Sequence, residues 1–241
     1  MQLLDLTFES VIENIAFDEA LLVQSENTGE QFLRFWKPQQ YAVVMGRSGQ
    51  LEEEADFEFC RQHQIAVYRR PSGGGTILTG PGCLMYTVVL NSNRQARLKE
   101  IQGCHDFVLG ETATALQGIG IDCSIQGFSD LACGDLKFSG NSLRLKRDSI
   151  LYHGTMLCNF SLEKISQALL FPPKQPDYRQ GRDHTGFVTN LNVSIEDVQT
   201  ALIEHWRPTS ALPEIPTDVQ TILKQLRTTK YQQDDWNIYT P

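Results

Sequence analysis

The sequence lacks several features that would place it in a membrane, secreted or metal-binding class. No apolar run approaches the roughly 20 residues that cross a bilayer, and the stretch Met1–Ser10 has no basic segment typical of a secretory signal. The six cysteines are scattered, with no C-x-x-C pair that would indicate zinc or a redox motif. We therefore expect a cytoplasmic protein with reduced thiols and no membrane partner.

Positive charge is also scarce. The chain has 21 Lys and Arg against 29 Asp and Glu, which gives a net charge of −8. At this balance the protein as a whole repels nucleic acid, so nucleic acid is not an expected partner. The acidic run Glu52–Glu54 is interpreted as a solvated helix face. An anionic ligand must be held by a local pocket of positive side chains.

Helical and strand-like patterns alternate along the 241 residues, a length that suits one large domain or one domain with a small appendage. The apolar spacing predicts helices at Asn14–Val23 with Asn14 as N-cap, at Leu51–His63, at Gly103–Leu116, and after Ser161 and Ser194. Strands are predicted at Phe32–Trp36, Tyr41–Met45, Cys83–Leu90 and Ile119–Ile125, and as a hairpin over Ser142–Lys146 and Ile150–Asn159. Because many strands are linked as hairpins, we expect an α+β fold with a mixed, largely antiparallel sheet flanked by helices.

The most informative motif follows the strand-like run Ile65–Tyr68. It reads Arg-Arg-Pro-Ser-Gly-Gly-Gly-Thr over residues 69–76. Glycine reaches positive φ at low cost, so consecutive glycines let backbone N–H groups turn toward one point. Two guanidinium groups beside such a loop suit a phosphate or an acyl phosphate. The spacing is neither that of a Walker A loop nor that of a dinucleotide fingerprint, and a plain turn between strands is the alternative.

A second group of candidate residues lies in the segment Ser129–Ser142. Gly134 and Asp135 predict a tight turn that places Lys137 at the start of an outgoing strand. There Lys137 could hold a positive charge against an acyl phosphate, or be a surface lysine on a hairpin. Asp130 could be a magnesium ligand or a turn residue. Farther along the chain, His153 could be a base or a satisfied core group.

Seven motifs follow one another in a specific order. They are Asn-Ile-Ala-Phe-Asp-Glu-Ala (14–20), Val-Val-Met-Gly-Arg (43–47), Arg-Arg-Pro-Ser-Gly-Gly-Gly (69–75), Ser-Asp-Leu (129–131), Lys-Phe-Ser-Gly-Asn-Ser (137–142), His-Gly-Thr (153–155) and Val-Thr-Asn-Leu (188–191). In this order they resemble the lipoate–protein ligase A family, which belongs with biotin protein ligases and octanoyl transferases in one superfamily. The resemblance implies a biotin/lipoate ligase-type catalytic domain over residues 1–207. Residues 208–241 would be a linker, a short helix and a tail, with no accessory domain.

The resemblance also implies an activity. Such ligases use ATP and Mg²⁺ to convert lipoate or octanoate to an acyl-adenylate, and then pass the acyl group to a lysine of a lipoyl carrier domain. Lys137 would be the catalytic residue, and Asp130 would help to place the metal. The nucleotide and substrate would be held by Arg70, Ser72, Gly73, Gly74, Gly75, Thr76, Ile77, Leu78, Gly140, His153 and Thr155.

The sequence departs from the ligase pattern after the glycines. Ligases usually have a His-Asp pair there, whereas Thr79–Cys83 resembles the corresponding turn of octanoyl transferases. An ATP-independent octanoyl or lipoyl transferase is therefore an alternative, with Cys123 as its thioester nucleophile, although a buried Cys123 would be inert. A non-catalytic subunit that binds lipoyl-adenylate or the carrier is a further alternative.

Two other segments bear on the partners. The loop over residues 174–189 contains Arg179, Arg182 and His184, which could cover the bound adenylate, meet an acidic carrier domain, or be solvated. The tail Thr228–Asn237 resembles the segment that leads into a small accessory domain in larger ligases. A separate chain could supply that domain.

Overall fold

The computed structural model describes residues 1–233 and 236–241. Its strands are β1 (Gln2–Asp5), β2 (Phe32–Trp36), β3 (Ala42–Met45), β4 (Ala66–Arg69), β5 (Ile77–Thr79), β6 (Cys83–Asn91), β7 (Ser124–Gln126), β8 (Asp130–Cys133), β9 (Leu136–Leu145), β10 (Ser149–Leu157) and β11 (Ser210–Ala211). Its α-helices are α1 (Val11–Thr28), α2 (Leu51–Glu54), α3 (Phe57–Gln62), α4 (Ile101–Gly118), α5 (Leu162–Ala168), α6 (Ile195–Trp206) and α7 (Thr217–Leu226). Within these described ranges, no helix combines the length and the apolar character needed to cross a membrane.

The strands of the described residues form an eight-stranded sheet and a three-stranded sheet. The large sheet has the order β11-β1-β2-β6-β10-β9-β8-β7, and the small one has the order β4-β3-β5. In the large sheet β1 pairs in parallel with β2 and β11, and the other pairs are antiparallel. In the small sheet β3 is parallel to β4 and antiparallel to β5. The predicted α+β fold with a mixed, largely antiparallel sheet is confirmed.

Apolar side chains cover both faces of the large sheet. Along β2, Phe32 and Trp36 point to one face while Leu33 and Phe35 point to the other, as the period-two alternation of a strand requires. The first face packs against α1 and the small sheet, and the second packs against α4 and α6. Because β2 and β6 are covered on both faces, their sequences are nearly continuous apolar runs.

Helix α1 begins earlier than the sequence predicts, and Asn14 is not its N-cap. Val11 is the first helical residue, and Ser10 occupies the cap position. Asn14 is buried one turn inside the helix, where its Nδ2 donates to the carbonyls of Phe8 and Ser10, each at 2.9 Å. The prediction is wrong because the asparagine stabilises the chain before the helix from within the first turn.

The helix predicted over Leu51–His63 is two short helices, α2 and α3. Ala55 lies between them in an extended conformation and forms an antiparallel bridge with Leu169. This bridge interrupts the helical hydrogen bonds. Asp56 then caps α3, because its side chain accepts a hydrogen bond of 2.8 Å from the N–H of Phe59.

The strand predicted over Ile119–Ile125 is shorter than expected. Helix α4 continues to Gly118, and Gly120 turns the chain with a φ of +84°, so only Ser124–Gln126 forms β7. The remaining predicted strands are confirmed. In the hairpin, β9 begins at Leu136, earlier than predicted, and β10 ends at Leu157, before the predicted Asn159.

The C-terminal segment packs on the same core as the rest of the described chain. β11 pairs with β1, and α7 packs along α1 and continues as a π-helical turn over Arg227–Tyr231. Lys230 binds both carboxylate oxygens of Glu19 in α1, at 3.0 and 2.7 Å. Val67 on β4 exchanges backbone hydrogen bonds with Tyr239. Residues 234 and 235 of the predicted tail lie outside the described residues.

Candidate active site

The glycine motif forms the connection between β4 and β5, and its residues Arg70–Thr76 make up the glycine loop. Gly73, Gly74 and Gly75 are exposed, and Gly74 has a positive φ of +82°. Within residues 1–233 and 236–241, no protein group accepts a hydrogen bond from the backbone N–H groups of these three glycines. Exposed N–H groups on consecutive glycines are the donors that an anion-binding loop requires.

Arg70 is buried beneath the glycine loop and holds it in shape. Its guanidinium donates to the carbonyls of Gly73 (2.5 Å) and Gly75 (2.8 Å), and to that of Val44 on β3 (3.0 Å). Burial lowers the pKa of Arg70 to about 10, so the side chain is charged at neutral pH. The carbonyls of Gly73 and Gly75 therefore accept hydrogen bonds from Arg70, whereas the N–H groups of the loop remain available to a ligand. Contact between Arg70 and a nucleotide stays a prediction.

A chain of buried hydrogen bonds connects the loop to helix α1. Ser72 Oγ accepts from Arg70 Nε at 3.0 Å and lies 2.6 Å from His153 Nε2. His153 Nδ1 lies 3.4 Å from Asp18, whose other oxygen is 2.5 Å from the guanidinium of Arg34. The Asp18 carboxylate favours a proton on Nδ1, so Nε2 accepts from the Ser72 hydroxyl. His153, a predicted substrate contact, thus lies against the glycine loop.

Lys137 lies at the start of β9, as predicted, with its ammonium 2.7 Å from Oδ1 of Asp130. The second oxygen of Asp130 accepts from the hydroxyl of Tyr178 at 2.8 Å. The Lys137 side chain runs along Gly140, where an added Cβ would lie 3.0 Å from Nζ. Gly140 and Ser142 share a face of β9 about 7 Å apart, and Ser142 donates to the carbonyl of Gly73 at 2.7 Å. The ammonium and the glycine loop therefore border the same space.

The loop over residues 174–189 closes against Lys137. The N–H of Lys137 donates to the carbonyl of Phe187 at 2.9 Å, and the carbonyl of Lys137 accepts from Thr189 at 2.8 Å. This pairing fixes the backbone of Lys137 from the loop side. The same loop places the hydroxyl of Tyr178 in contact with Asp130.

The two arginines of this loop brace the loop itself. The Nε of Arg179 donates to the carbonyl of Arg182 at 2.8 Å, and the Nε of Arg182 donates back to the carbonyl of Arg179 at 3.0 Å. Arg179 is buried and lies over the ring of Phe187, whereas Arg182 pairs with Asp135 at 3.1 Å. His184 contacts the carbonyl of Leu170, and burial lowers its pKa. These contacts give the three side chains a structural role that the sequence did not predict. Their contact with an adenylate or a carrier domain stays a prediction.

Thr76 is held by a residue that the sequence assigns to a solvated face. The Glu54 carboxylate accepts from the N–H of Thr76 at 3.1 Å and from its hydroxyl at 2.6 Å. Glu52 and Glu53 are exposed as predicted, but Glu54 is half-buried. The prediction is wrong for Glu54, because α2 ends there and turns that carboxylate toward the end of the glycine loop.

The other predicted contacts lie on strands. Ile77 and Leu78 begin β5, and the side chain of Leu78 belongs to the apolar core, so only its backbone can reach a ligand. Thr155 is buried on β10 opposite Met85. Ile77 and Leu78 continue directly from the glycine loop. Contact of these two residues and of Thr155 with a substrate stays a prediction.

Cys123, the alternative nucleophile, lies in the core between α4 and the large sheet. It is 4% exposed, and its Sγ is 3.9 Å from the carbonyl of Ala113. Burial raises the pKa of the thiol to about 11. The thiol is therefore protonated at neutral pH, which opposes nucleophilic attack.

Asp130 does not offer a free carboxylate to a metal ion. Lys137 and Tyr178 engage its two oxygens, and in the described part of the chain no group of three or more His, Cys, Asp or Glu side chains is suitably placed to hold a metal. Mg²⁺ in proteins is often held by one or two carboxylates together with substrate phosphates, so the role of Asp130 in placing a metal stays a prediction.

Four residues of the site were not predicted from the sequence: Asp18, Glu54, Ser142 and Tyr178. Asp18 and Ser142 lie within the motifs 14–20 and 137–142, so the motif pattern contained a signal for both. Tyr178 comes from a loop 48 residues away from Asp130, and no local pattern marks it.

The family model of the lipoyl protein ligase A/B catalytic domain matches residues 10–207. The chain belongs to this family. The predicted family is therefore confirmed. The glycine loop, Lys137 and His153 of this chain all lie within the matched residues.

Similar proteins of known sequence are named lipoate–protein ligases. Lipoate-protein ligase A subunit 1 of Thermoplasma acidophilum is 24% identical, over 93% of the chain and 91% of the relative. Lipoate–protein ligase 1 of Staphylococcus aureus is 25% identical over 66% of the chain, and the match spans only 47% of that relative. The chain thus corresponds to nearly all of one relative and to about half of another.

Solved structures of lipoate ligases have the same fold. A bi-partite lipoate protein ligase from T. acidophilum, described with its E2 lipoyl domain, superposes with a TM-score of 0.84 over 98% of the chain and 95% of that structure, at 24% identity. A lipoate-protein ligase A bound with ATP superposes with a TM-score of 0.80 over 98% and 97%, at 25% identity. The predicted biotin/lipoate ligase-type fold is confirmed.

The backbone at Gly46, which follows β3, lies very close to the glycine loop. A Cβ on Gly46 would lie 2.0 Å from the carbonyl oxygen of Gly74. We expect Gly46→Ala to displace the loop, to lower the free energy of unfolding by about 1–3 kcal/mol, and to weaken the binding of an adenylate analogue at least about tenfold. Denaturant titration and calorimetry measure the two effects.

The matched control is Gly110→Ala in α4, where an added Cβ meets nothing within 4 Å. That variant should bind normally and be as stable as the parent or more stable by about 0.5–1 kcal/mol. Unchanged analogue binding by Gly46→Ala would contradict the loop geometry described above.

Proposed function

We propose that the chain is an ATP-dependent lipoate–protein ligase, which activates lipoate or octanoate as an acyl-adenylate and transfers the acyl group to a lysine of a lipoyl carrier domain. The observation that supports this most directly is the arrangement along β9. The ammonium of Lys137 and the glycine loop held by Ser142 border one space. A positive charge and free backbone N–H groups on that space suit a mixed anhydride of phosphate and carboxylate.

The proposed activation step needs positioned charge more than a protein nucleophile. A carboxylate oxygen of the acid attacks the α-phosphorus of ATP, and the bond to the bridging oxygen breaks as pyrophosphate leaves. The Lys137 ammonium has three N–H donors, and Asp130 occupies one of them. The other two are available for a phosphate oxygen and the acyl oxygen. The loop N–H groups stabilise the charge that develops on the α-phosphate.

The transfer step reuses the same groups. The carrier lysine attacks the acyl carbon as a free amine, and the bond between that carbon and the phosphate oxygen breaks so that AMP leaves with the electron pair. Lys137 stabilises the negative charge on the acyl oxygen during the attack. The hydrogen bonds through Ser72, His153 and Asp18 hold the loop in position throughout.

Names of relatives support the nucleotide and the acceptor in this proposal. One structural neighbour is a lipoate-protein ligase A bound with ATP, and another is described with an E2 lipoyl domain. Mg²⁺ stays a predicted cofactor that would reach the site with the nucleotide phosphates. The predicted cytoplasmic location is part of the same proposal.

The catalytic unit is proposed to span residues 1–207, which the end of the family match at residue 207 supports. Residues 208–241 pack against this unit through β11, α7 and Lys230. A second chain is proposed to assist ligation, since the T. acidophilum relative is named subunit 1. Full-rate ligation of a carrier domain by the purified chain alone would overturn the requirement for a second chain.

The proposed first half-reaction is measured without any carrier. The chain is incubated with ATP, labelled pyrophosphate and Mg²⁺, with and without lipoate. We expect label to enter ATP only when lipoate is present. Label that enters ATP equally well without lipoate, or not at all in the presence of a second subunit, would contradict the activation step.

The ATP-independent transferase with Cys123 predicts a different response to mutation. Since the Cys123 thiol is buried and its pKa is raised to about 11, we expect Cys123→Ala to keep the ligation rate within about twofold of the parent, a change of less than 0.5 kcal/mol. Cys104→Ala, which removes another buried thiol packed against the same core, is the control for packing effects. Loss of activity in Cys123→Ala alone would favour the transferase.

A further inference from the structure

The peptide unit that joins Arg69 to Arg70 is held from both sides. Its N–H, on Arg70, donates to the carbonyl of Met45 in β3 at 3.0 Å. Its carbonyl, on Arg69, accepts from the indole N–H of Trp236 at 2.9 Å. The glycine loop leaves β4 through this peptide unit, so the direction in which the loop starts depends on a residue 167 positions farther along the chain.

The residues after Trp236 pair with the outer edge of β4. This strand lies at the edge of the three-stranded sheet, and an edge strand presents unpaired N–H and C=O groups. The N–H of Val67 donates to the carbonyl of Tyr239 at 2.9 Å, and the carbonyl of Val67 accepts from the N–H groups of Ile238 and Tyr239 at 3.2 and 3.1 Å. This pairing keeps Trp236 at the end of β4 from which the glycine loop departs.

The side chain of Arg69 extends the same support to the segment after β3. Its NH1 donates to the carbonyls of Gly46, Arg47 and Gly49 at 3.0, 3.1 and 2.9 Å. The N–H of Arg47 in turn donates to the carbonyl of Ser72 in the glycine loop at 2.8 Å. A shift of Arg69 would therefore reach the loop through these hydrogen bonds as well.

A second set of contacts connects Trp236 to helix α1. The ammonium of Lys230 lies 4.0 Å from the centre of the Trp236 ring and donates to both carboxylate oxygens of Glu19. The hydroxyl of Tyr231 also donates to Glu19, which is 5% exposed. Glu19 follows Asp18, the residue that supports the loop from the same turn of α1. The C-terminal residues and the loop are thus anchored to one helix.

We propose that Trp236 is a positioning residue for the glycine loop, whose indole N–H fixes the peptide unit before Arg70 while Lys230 holds the indole in place. The inference rests on the proposed function, in which the N–H groups of the loop bind the adenylate. Those groups must converge on one point to bind an anion. A cation over the face of an indole is a favourable contact, and it holds the ring with its N–H toward Arg69.

Trp236→Phe tests the assignment, because phenylalanine keeps an aromatic ring and removes the indole N–H. Hydrogen exchange is measured at the amides of Arg70 and Arg47, which donate to the carbonyls of Met45 and Ser72. We expect both amides to exchange about 3- to 10-fold faster, relative to amides of α4 that report global stability. Calorimetry should show a Kd for a non-hydrolysable acyl-adenylate analogue that is about 3- to 10-fold higher.

Two variants of Lys230 separate its charge from its size. Lys230→Arg keeps a positive charge for Glu19 and for the indole, and arginine stacks well on aromatic rings, so its Kd for the analogue should stay close to that of the parent. Lys230→Met removes the charge and should raise the Kd about 3- to 10-fold. Equal binding of the analogue by the two variants would overturn the role of Lys230.

The matched control is Trp206→Phe in α6. The Nε1 of Trp206 is buried and has no hydrogen-bond partner among the described residues, so this change removes an indole N–H without breaking a hydrogen bond. It should leave the exchange of both amides and the Kd unchanged.

Three results would overturn the assignment of Trp236. They are exchange of the two amides in Trp236→Phe at the rates of the parent, an equal effect in Trp206→Phe, and faster exchange with an unchanged Kd. In the last case the loop would bind the analogue independently of its support. If the parent itself binds no analogue, the proposed function fails, while the hydrogen exchange still decides whether Trp236 holds the loop.

Discussion

Lys137→Ala is expected to lower the ligation rate about 100- to 1,000-fold and to weaken the binding of an acyl-adenylate analogue. The reason is that Lys137 is the cation placed between Asp130 and the face of β9 that holds the glycine loop. A preorganised charge of this kind stabilises the developing negative charge by several kcal/mol. Single-turnover kinetics and calorimetry with a non-hydrolysable analogue measure the two effects.

Lys224→Ala is the control, because Lys224 is exposed on α7 and no site contact involves it. Denaturant unfolding of Lys137→Ala should remain cooperative, so that lost activity is not lost folding. If calorimetry shows that Lys137→Ala binds the analogue as tightly as the parent, the role assigned to Lys137 is wrong.

Asp18→Asn is expected to lower the free energy of unfolding by about 3–5 kcal/mol, since it leaves the buried guanidinium of Arg34 without a counter-charge. Asp18 is 2% exposed and Arg34 is 0% exposed, and their side chains are 2.5 Å apart. The same change removes the negative charge that orients His153 toward Ser72. Urea titration of the parent and the variant gives the difference directly.

Asp135→Asn is the matched control for this change. Asp135 also pairs with an arginine, Arg182, but its side chain is 75% exposed, so its loss should cost about 0–1 kcal/mol. A loss of less than about 1 kcal/mol in Asp18→Asn would show that the buried pair does not stabilise the fold as described.

The pH dependence of stability provides a second check on Asp18. Burial alone would raise the pKa of this carboxyl, but the charge of Arg34 and the contact with His153 hold it below its ordinary value. The pKa of an Asp carboxyl in an unfolded chain is about 3.9. The contribution of Asp18 is therefore fully present above about pH 4 and is lost as the pH falls through the lower folded-state pKa. Asp18→Asn should lose less stability than the parent does over that acidic range.

The sequence predicted the positions of Lys137 and the glycine loop in the fold because these features are local. The turn at Gly134–Asp135 placed Lys137 correctly at the start of β9, and the three glycines did form an exposed loop between two strands. The continuous apolar run Cys83–Leu90 likewise predicted a buried strand, which is β6. Each of these conclusions depends on residues within a few positions of one another.

Other features depend on residues far apart in the chain. Asp18 and His153 meet across 135 residues. Asp18 lies within the motif over residues 14–20, but the pattern of α1 does not show that its carboxylate pairs with a residue so far along the chain. Glu54 belongs to an acidic run whose other members are exposed, and only the break at Ala55 turns it toward Thr76. The break itself comes from pairing with Leu169, which the helical pattern of residues 51–63 does not contain.

Mass spectrometry of a purified lipoyl carrier domain distinguishes ATP-dependent ligation from acyl transfer. The domain is incubated with the chain, the proposed second chain, lipoate and Mg²⁺, with and without ATP. We expect a mass increase of one lipoyl group on the carrier only when ATP is present. An unmodified carrier in both reactions, together with acylation from an octanoyl carrier protein in the absence of ATP, would contradict the account and establish acyl transfer instead.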